Sequence, residues 1–382
     1  MEGLPIEKPE ITEDGPGPCR RAFISKGQSL LIIADKLLPV ENLAEAFLRL
    51  DRKEVALLKA IERGMRRSEW VPIEDLLAKG RLSLKGTRTG LSKLVSKKLV
   101  FKTTEPYEGY QIGFAAYDLI ALSELVGRDV VVSLGDLLGV GKESVVFEAL
   151  GRAPARGGAG SEEDPSEEEG RERTLPGGRG VAGGGQGGRG GGEPAGSTED
   201  LGELIPLAVK FHRQGTTSFK HVRRARSHLL DRPRCAWIHA ARLGAAREYR
   251  VLKALYPAVS VPEPVALSFH ALAMEHMGGA ELYKLDLENP NECLEIVLEE
   301  IAAAWREGFV HADLSPYNVL VREDGEIVII DWPQAVSRTD PRSAELLERD
   351  IKNLLDHFGR RYRLDFEPEE ALACVLGEEK KR

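Results

Sequence analysis

The chain has 382 residues, 42% of them hydrophobic, and a formal net charge of −8, which is long enough for two domains and speaks against a wholly basic nucleic-acid coat. Its four cysteines, Cys19, Cys235, Cys293 and Cys374, form no C-x-x-C pair, which argues against a disulfide framework or a zinc site and for a reducing cytosol. No apolar run nears the roughly 20 residues of a membrane span, and the acidic start MEGLPIEKPEITEDGPGP is unlike a signal peptide, so a soluble cytoplasmic chain with no membrane partner is expected.

Residues 1–28 read as a flexible tail. From 29 to 126 the pattern is mostly helical. In RKEVALLKAIERGM (52–65), Val55, Leu58, Ile61 and Met65 recur at the one-face spacing of an amphipathic helix. Shorter helices are expected at 73–79 and 84–97. The runs 99–102 and 110–112, joined by turn-forming residues, predict a hairpin. Three helices followed by a hairpin is the order of a winged helix-turn-helix, and FAAYDLIALSEL (114–125) would be a linker helix closing that domain. Residues 127–382 form the second domain, which is interrupted at 151–203. That insert holds 18 of the chain's 40 glycines and the acidic run SEEDPSEEE, a composition too poor in apolar side chains to offset ordering entropy, so it is expected to be disordered. Strand-like sequence resumes at 204–211. Helices are expected near 240–255, 294–307 and 346–358, the last closing the chain, and strands near 265–269, 272–274, 319–321 and 327–330.

The string GVGKES places glycines where backbone N–H groups could meet phosphate. A Walker A loop requires G-x-x-x-x-G-K-[ST] opening a helix. Here Asp136 stands where the first Gly belongs, Glu143 follows Lys142, and VVFEA after Ser144 is strand-like. The alternative is the kinase-type G-x-G-x-x-G loop of a strand–loop–strand hairpin, with Gly139, Val140, Gly141, Lys142, Glu143 and Ser144 as its phosphate loop and Ser144 at the third glycine position.

The remaining kinase elements follow in order. Lys210, in the strand PLAVK, suits a lysine bound to the α- and β-phosphates, and Glu248 on the next helix is the acid that would hold it. Glu275 and Met277, in MEHM before Gly278–Gly279, have the look of a hinge that meets adenine. In VHADLSPYNV, Asp313 and Asn318 stand five apart, so that one carboxylate can accept a proton while an amide oxygen one short turn on ligates a metal. Asp331 comes thirteen residues later at a strand end, where a second metal ligand belongs. The fold class is therefore α+β, a winged helix-turn-helix followed by a compact two-lobed protein-kinase-like domain. Only 51 residues follow Asp331 and no A-P-E segment is among them, so a generic peptide-kinase platform is not expected. A large preformed partner or ATP hydrolysis itself fits better.

GVGKESVVF, AVKFHRQGTTSFK, HADLSPYNVLV and IIDWPQ resemble the RIO kinases, a family of atypical serine/threonine protein kinases. With the winged helix in front, the resemblance is to their second subfamily, Rio two, and more to its archaeal branch. It covers roughly residues 30–150 and 204–375. It implies that Lys210 and the 139–144 loop bind ATP, that Asp313 is the catalytic aspartate, and that Asn318 and Asp331 hold Mg2+, or Mn2+ in its place. It also implies ATPase activity through a phospho-aspartate at Asp331, and a role in maturing the small ribosomal subunit. Two positions depart from the family pattern, Ala312 for Gly and Trp332 for Phe; neither removes a reactive group.

The segment 81–102 carries Arg81, Lys85, Arg88, Lys93, Lys97, Lys98 and Lys102 without one acid. It coincides with the third helix and first wing strand, the parts of a winged helix that meet nucleic acid, so ribosomal RNA of the pre-small-subunit particle is the expected partner. The stretch 220–234 is a second basic candidate, and Thr216, Thr217 and Ser218 beside it are sites where the chain could be its own protein substrate. The residues leave two other readings open. One is a small-molecule phosphotransferase of the aminoglycoside-kinase type, and the other a winged-helix RNA- or DNA-binding scaffold without catalysis.

Overall fold

The computed structural model describes residues 43–79, 83–152, 203–213 and 236–377, all within one compact unit spanning Leu38–Arg382. The expected tail, the interior of the 151–203 insert, Arg81, the 220–234 stretch and Thr216, Thr217 and Ser218 lie outside the described residues. Among the described residues no helix is long and apolar enough to cross a membrane.

The first part is built as α1 (Leu43–Leu48), α2 (Arg52–Met65), β1 (Val71–Pro72), α3 (Ile73–Lys79), α4 (Leu84–Ser96), β2 (Val100–Thr103), β3 (Gly109–Ile112) and α5 (Phe114–Gly127). A capping box starts α2: Glu54 N donates to Asp51 Oδ1 at 2.8 Å, and Asp51 N donates back to Glu54 Oε2 at 2.9 Å, satisfying two amides that the helix leaves over. The wing is the hairpin β2–β3, with the short β1 added to its other edge in the order β1-β3-β2. The buried face of α2 is rotated from the expected one. Leu58, Ile61 and Met65 are buried as expected, but Val55 is only half-buried, and Leu57, Glu54 and Glu62 take its place. Both buried acids have basic partners elsewhere in the fold, which apolar periodicity does not reveal.

The second part opens with β4 (Val131–Val140), β5 (Ser144–Arg152) and β6 (Leu204–His212), then α6 (Ala236–Leu255), β7 (Pro264–Ser268) and β8 (Ala271–Glu275). These strands form one antiparallel sheet, β4-β5-β6-β8-β7. Arg152 pairs with Leu204, so the insert leaves and returns at one end of the β5–β6 hairpin, opposite the 141–143 turn. Below lie β9 (Ala280–Glu281), α7 (Pro290–Arg306), β10 (Phe309–Val310), β11 (Val319–Val321), β12 (Ile327–Ile329), β13 (Val336–Ser337), α8 (Ser343–Tyr362) and α9 (Pro368–Leu376). The helix expected to close the chain is thus followed by another. Pro368 opens it in the first helical turn, where a missing N–H costs nothing.

Strand β6 divides the core in two. Leu207, Val209 and Phe211 join a cluster shared with Leu58, Leu91 and Ile120 of the winged helix. Ala208, one residue out of phase, joins the cluster of Leu272, Leu298, Trp332 and Phe358. Side chains alternate across a strand, so Lys210 and His212 share the second face with Ala208. Each large apolar side chain buried on either face contributes about 1.5–3 kcal/mol, and one strand thereby ties the winged helix to the catalytic face.

Candidate active site

Lys210 projects from β6 into a buried position. Its Nζ lies 2.6 Å from Glu248 Oε1 on α6 and 2.5 Å from Asp331 Oδ1. Burial alone would lower the pKa of the ammonium, but the Glu248 and Asp331 carboxylates outweigh it and hold Lys210 above its ordinary value. Burial likewise opposes ionisation of Glu248, yet the Lys210 charge and the neighbouring His212 prevail and bring its carboxyl down to about 2. Glu248 Oε1 also accepts from the Trp332 amide at 3.1 Å. One carboxylate therefore joins the lysine strand, helix α6 and the segment that follows β12.

Helix α6 is fixed from the winged-helix side. The Trp237 ring lies 3.5 Å from that of Phe114 and meets Tyr117 edge-on at 5.4 Å. Arg242 donates to Glu62 of α2 at 2.7 Å and covers the Phe269 ring at 4.5 Å. A second buried link comes from Asp118 on α5, which holds His270 Nε2 at 2.8 Å and Arg213 at 2.5 Å. Arg213 N in turn donates to the Glu143 carbonyl at 2.6 Å, connecting the linker helix to the phosphate loop. Glu62, Asp118 and Arg242 belong to no local motif, and Arg213 lies in AVKFHRQGTTSFK with no role read for it there, so the sequence reading missed the part played by all four.

The 139–144 segment is a strand–loop–strand turn as expected, with Gly139 opposite Val146 and Val140 opposite Val145. Gly141 N donates to Ser144 O at 2.8 Å. A side-chain carbon built at Gly139 meets nothing within 4 Å, and one at Gly141 comes no closer than 3.5 Å to Ser144. No protein crowding explains these glycines, whose bare backbone leaves open space above the loop that a phosphate could fill. Glu143 is turned elsewhere and accepts from Gln334 at 3.3 Å. At the hinge, the Glu275 and His276 amides donate to Glu263 O and Pro206 O. Among the described residues Met277 N has no such partner, and it remains available to a nucleotide base.

The loop after β10 is laced to the end of β12. His311 Nε2 lies 3.0 Å from Ile330 O, Ile330 N donates to Asn318 O at 2.9 Å, and Asn318 Nδ2 donates to Asp313 O at 2.9 Å. With its amide nitrogen committed, Asn318 has Oδ1 left to meet a metal, while the Asp331 carboxylate is partly exposed and Asp313 is exposed. Among the described residues no cluster of three His, Cys, Asp or Glu side chains could hold a metal alone. A hard-oxygen pair still fits Mg2+, which commonly takes one or two protein oxygens and completes its shell with phosphate and water.

Both departures from the family pattern acquire a physical reading. Trp332 is fully buried, and its indole N–H donates to Ile329 O at 3.0 Å, so the larger aromatic brings no unsatisfied polar atom. Ala312 has φ +65°, the left-handed region in which a Cβ is strained and glycine is not. The departure there is a matter of backbone strain as well as of one added methyl. Ala312 N donates to Asp350 at 2.7 Å and its carbonyl accepts from Arg349, two clamps from α8 that hold the loop.

The basic face is smaller than its sequence suggests. Lys97 Nζ sits on Glu54 at 2.7 Å and on Arg49 O at 2.8 Å, while Arg88 and Lys102 both reach Glu108. The acids come from α2 and the wing, outside the acid-free stretch or after its end. Lys85, Lys93 and Lys98 stay exposed without an ion pair among the described residues.

Residues 195–371 match the RIO domain family, and residues 47–128 match the family described as Rio2, N-terminal. The RIO-type serine/threonine-protein kinase Rio2 of Methanocaldococcus jannaschii is 32% identical over 80% of this chain and 95% of its own length. The serine/threonine-protein kinase rio2 of Schizosaccharomyces pombe is 28% identical over 82% of this chain and 77% of its own. A crystal structure of the Rio2 kinase from Chaetomium thermophilum, in an ADP/Mg2+-phosphoaspartate complex, superposes with a TM-score of 0.64 at 23% identity, covering 88% of this chain and 90% of that one. On these matches, over both the winged helix and the domain that carries the Lys210–Glu248–Asp331 cluster, the chain belongs to the Rio2 family of RIO-type serine/threonine-protein kinases.

Proposed function

We propose that this kinase works chiefly as an Mg2+-dependent ATPase in the cytoplasm, passing phosphate through Asp331 while bound to the precursor of the small ribosomal subunit. The observation that carries this reading is the convergence of Lys210 on both Glu248 and Asp331. It sets a strand-end carboxylate beside the cation expected to hold the α- and β-phosphates. Lys210, the Gly139–Ser144 backbone and Met277 N would bind ATP, with Glu275 at the hinge beside them. Mg2+, or Mn2+ in its place, would be held by Asn318 and Asp331 and would neutralise charge on the phosphates.

In the forward step an Asp331 oxygen attacks the γ-phosphorus as the bond from that phosphorus to the β-bridging oxygen breaks, releasing ADP and leaving an acyl phosphate. In the second step water attacks that phosphorus, Asp313 accepts its proton, and inorganic phosphate leaves with the Asp331 carboxylate restored. A protein Ser or Thr hydroxyl in place of water gives the kinase reaction, with Thr216, Thr217 and Ser218 of the same chain among the acceptors. Lys85, Lys93 and Lys98 support binding to ribosomal RNA through phosphate contacts, which give salt-sensitive association with little base specificity.

The test is ATP turnover with Mg2+ by the wild type and by Asp331→Ala. The variant is expected to lose turnover while its winged helix stays folded. Undiminished turnover would overturn the reading.

A further inference from the structure

His212 is almost wholly buried on β6, two residues beyond Lys210 and on the same face of the strand. Its Nε2 lies 2.9 Å from Glu248 Oε2. The two oxygens of Glu248 are unequally served. Oε1 receives both Lys210 and the Trp332 amide, whereas Oε2 has His212 beside it, off the axis of the ring N–H, and no aligned hydrogen bond among the described residues. Both His212 ring nitrogens also lack an aligned partner there. A buried carboxylate oxygen and a buried ring nitrogen in contact, with no other group to turn to, act on each other.

We propose that His212 is a positioning residue for nucleotide binding, a second donor on Glu248 that keeps its carboxylate aimed at Lys210. The need for it follows from Asp331. In the present arrangement Lys210 divides itself between Glu248 and Asp331. Once Asp331 turns to metal or phosphate, Glu248 alone must hold the lysine. A carboxylate fixed at one oxygen can pivot about its terminal bond, and a donor on the other oxygen stops that pivot. His212 is well placed for this because its own backbone is anchored on both sides. His212 N donates to His270 O at 2.9 Å, and the residue pairs with Ser144 at the edge of the phosphate loop. This role of His212 rests on the reading of Lys210 as a phosphate-binding residue.

The test compares ATP affinity, KM and kcat for His212→Leu, His212→Gln and His212→Asn, with Lys210→Ala as control. His212→Leu is expected to weaken ATP binding about tenfold, the scale of a lost hydrogen bond to a charged group. The Gln amide nitrogen reaches as far as the imidazole Nε2, so His212→Gln should restore affinity to within about twofold, while the shorter Asn should not. A residue that merely fills space would lower the melting temperature in all three variants and leave ATP affinity unmoved. Wild-type affinity in all three overturns the inference, as does equal behaviour of Gln and Asn; the Gln–Asn pair decides even if His212→Leu does not fold. Weak binding by Lys210→Ala beside wild-type binding by the His212 variants overturns the inference alone. Unchanged binding by Lys210→Ala removes the phosphate-binding reading, and the inference with it.

Discussion

Glu248→Gln removes one charge from the centre of the site while keeping the size of the side chain and an oxygen for the Trp332 amide. The wild-type carboxyl lies at about 2, against an ordinary value of 4.5. A carboxyl depressed on folding adds stability that is complete above 4.5 and is lost as pH falls through 2, because the unfolded chain then binds the proton first. A shift of that size corresponds to about 3 kcal/mol at neutral pH. A second route gives a similar figure. Removing one member of a buried ion pair costs about 3–5 kcal/mol, and the lower end applies because Lys210 keeps Asp331. Urea unfolding of wild type and variant should therefore differ by about 3 kcal/mol at pH 7, and the gap should shrink by roughly 1 kcal/mol or more at pH 3.5. Other carboxylates titrate in both proteins and cancel in the difference. A gap below about 1 kcal/mol at pH 7, or one that does not move with pH, would refute the account of Glu248 as a buried, ionised hub.

Ala312→Gly should stabilise the protein. The left-handed conformation costs an L-residue about 1–2 kcal/mol, and the extra freedom of glycine in the unfolded chain returns about 0.4–1 of that, so a net gain of about 0.5–1 kcal/mol is expected in urea unfolding with turnover intact. A loss of stability would show that the Asp350 and Arg349 clamps depend on the methyl. In the proposed ribosomal RNA role, replacing Lys85, Lys93 and Lys98 together by Glu should weaken RNA binding and flatten its dependence on salt, by roughly 0.7–0.9 in log–log slope for each phosphate no longer neutralised. Replacing Lys97 alone should instead lower the melting temperature, since Glu54 would stay buried without its cation.

The candidate site could be read from the sequence because its chemistry is written in local strings. GVGKES, PLAVK, HADLSPYN and IIDW each carry a reactive group at fixed spacing, and the fold brings Lys210, Glu248 and Asp331 into contact. Secondary structure was legible for a similar reason: α2 follows from the apolar spacing of residues 52–65, although its buried face is rotated from the expected one. What the sequence hid depends on partners far along the chain. Glu54 and Glu62 look like solvated helix acids until Lys97 and Arg242 arrive from 43 and 180 residues away. Asp118 lies in an apolar helix with nothing nearby to mark it, and its partners come from the residue after β6 and the β7–β8 turn. His212 left a weak signal in its two-residue offset from Lys210, which strand alternation turns into a shared face. The strain at Ala312 is a backbone angle that no composition records.

The proposed mechanism makes Asp331, the observed partner of Lys210, the phosphate acceptor as well. Incubation with γ-labelled ATP and Mg2+, followed by hydroxylamine, tests this directly. The prediction is protein-bound label that hydroxylamine removes and that Asp331→Asn never acquires. Absence of any hydroxylamine-labile label, or labile label that persists in Asp331→Asn, would contradict the central claim; stable label on Thr216, Thr217 or Ser218 would report the kinase reaction alone.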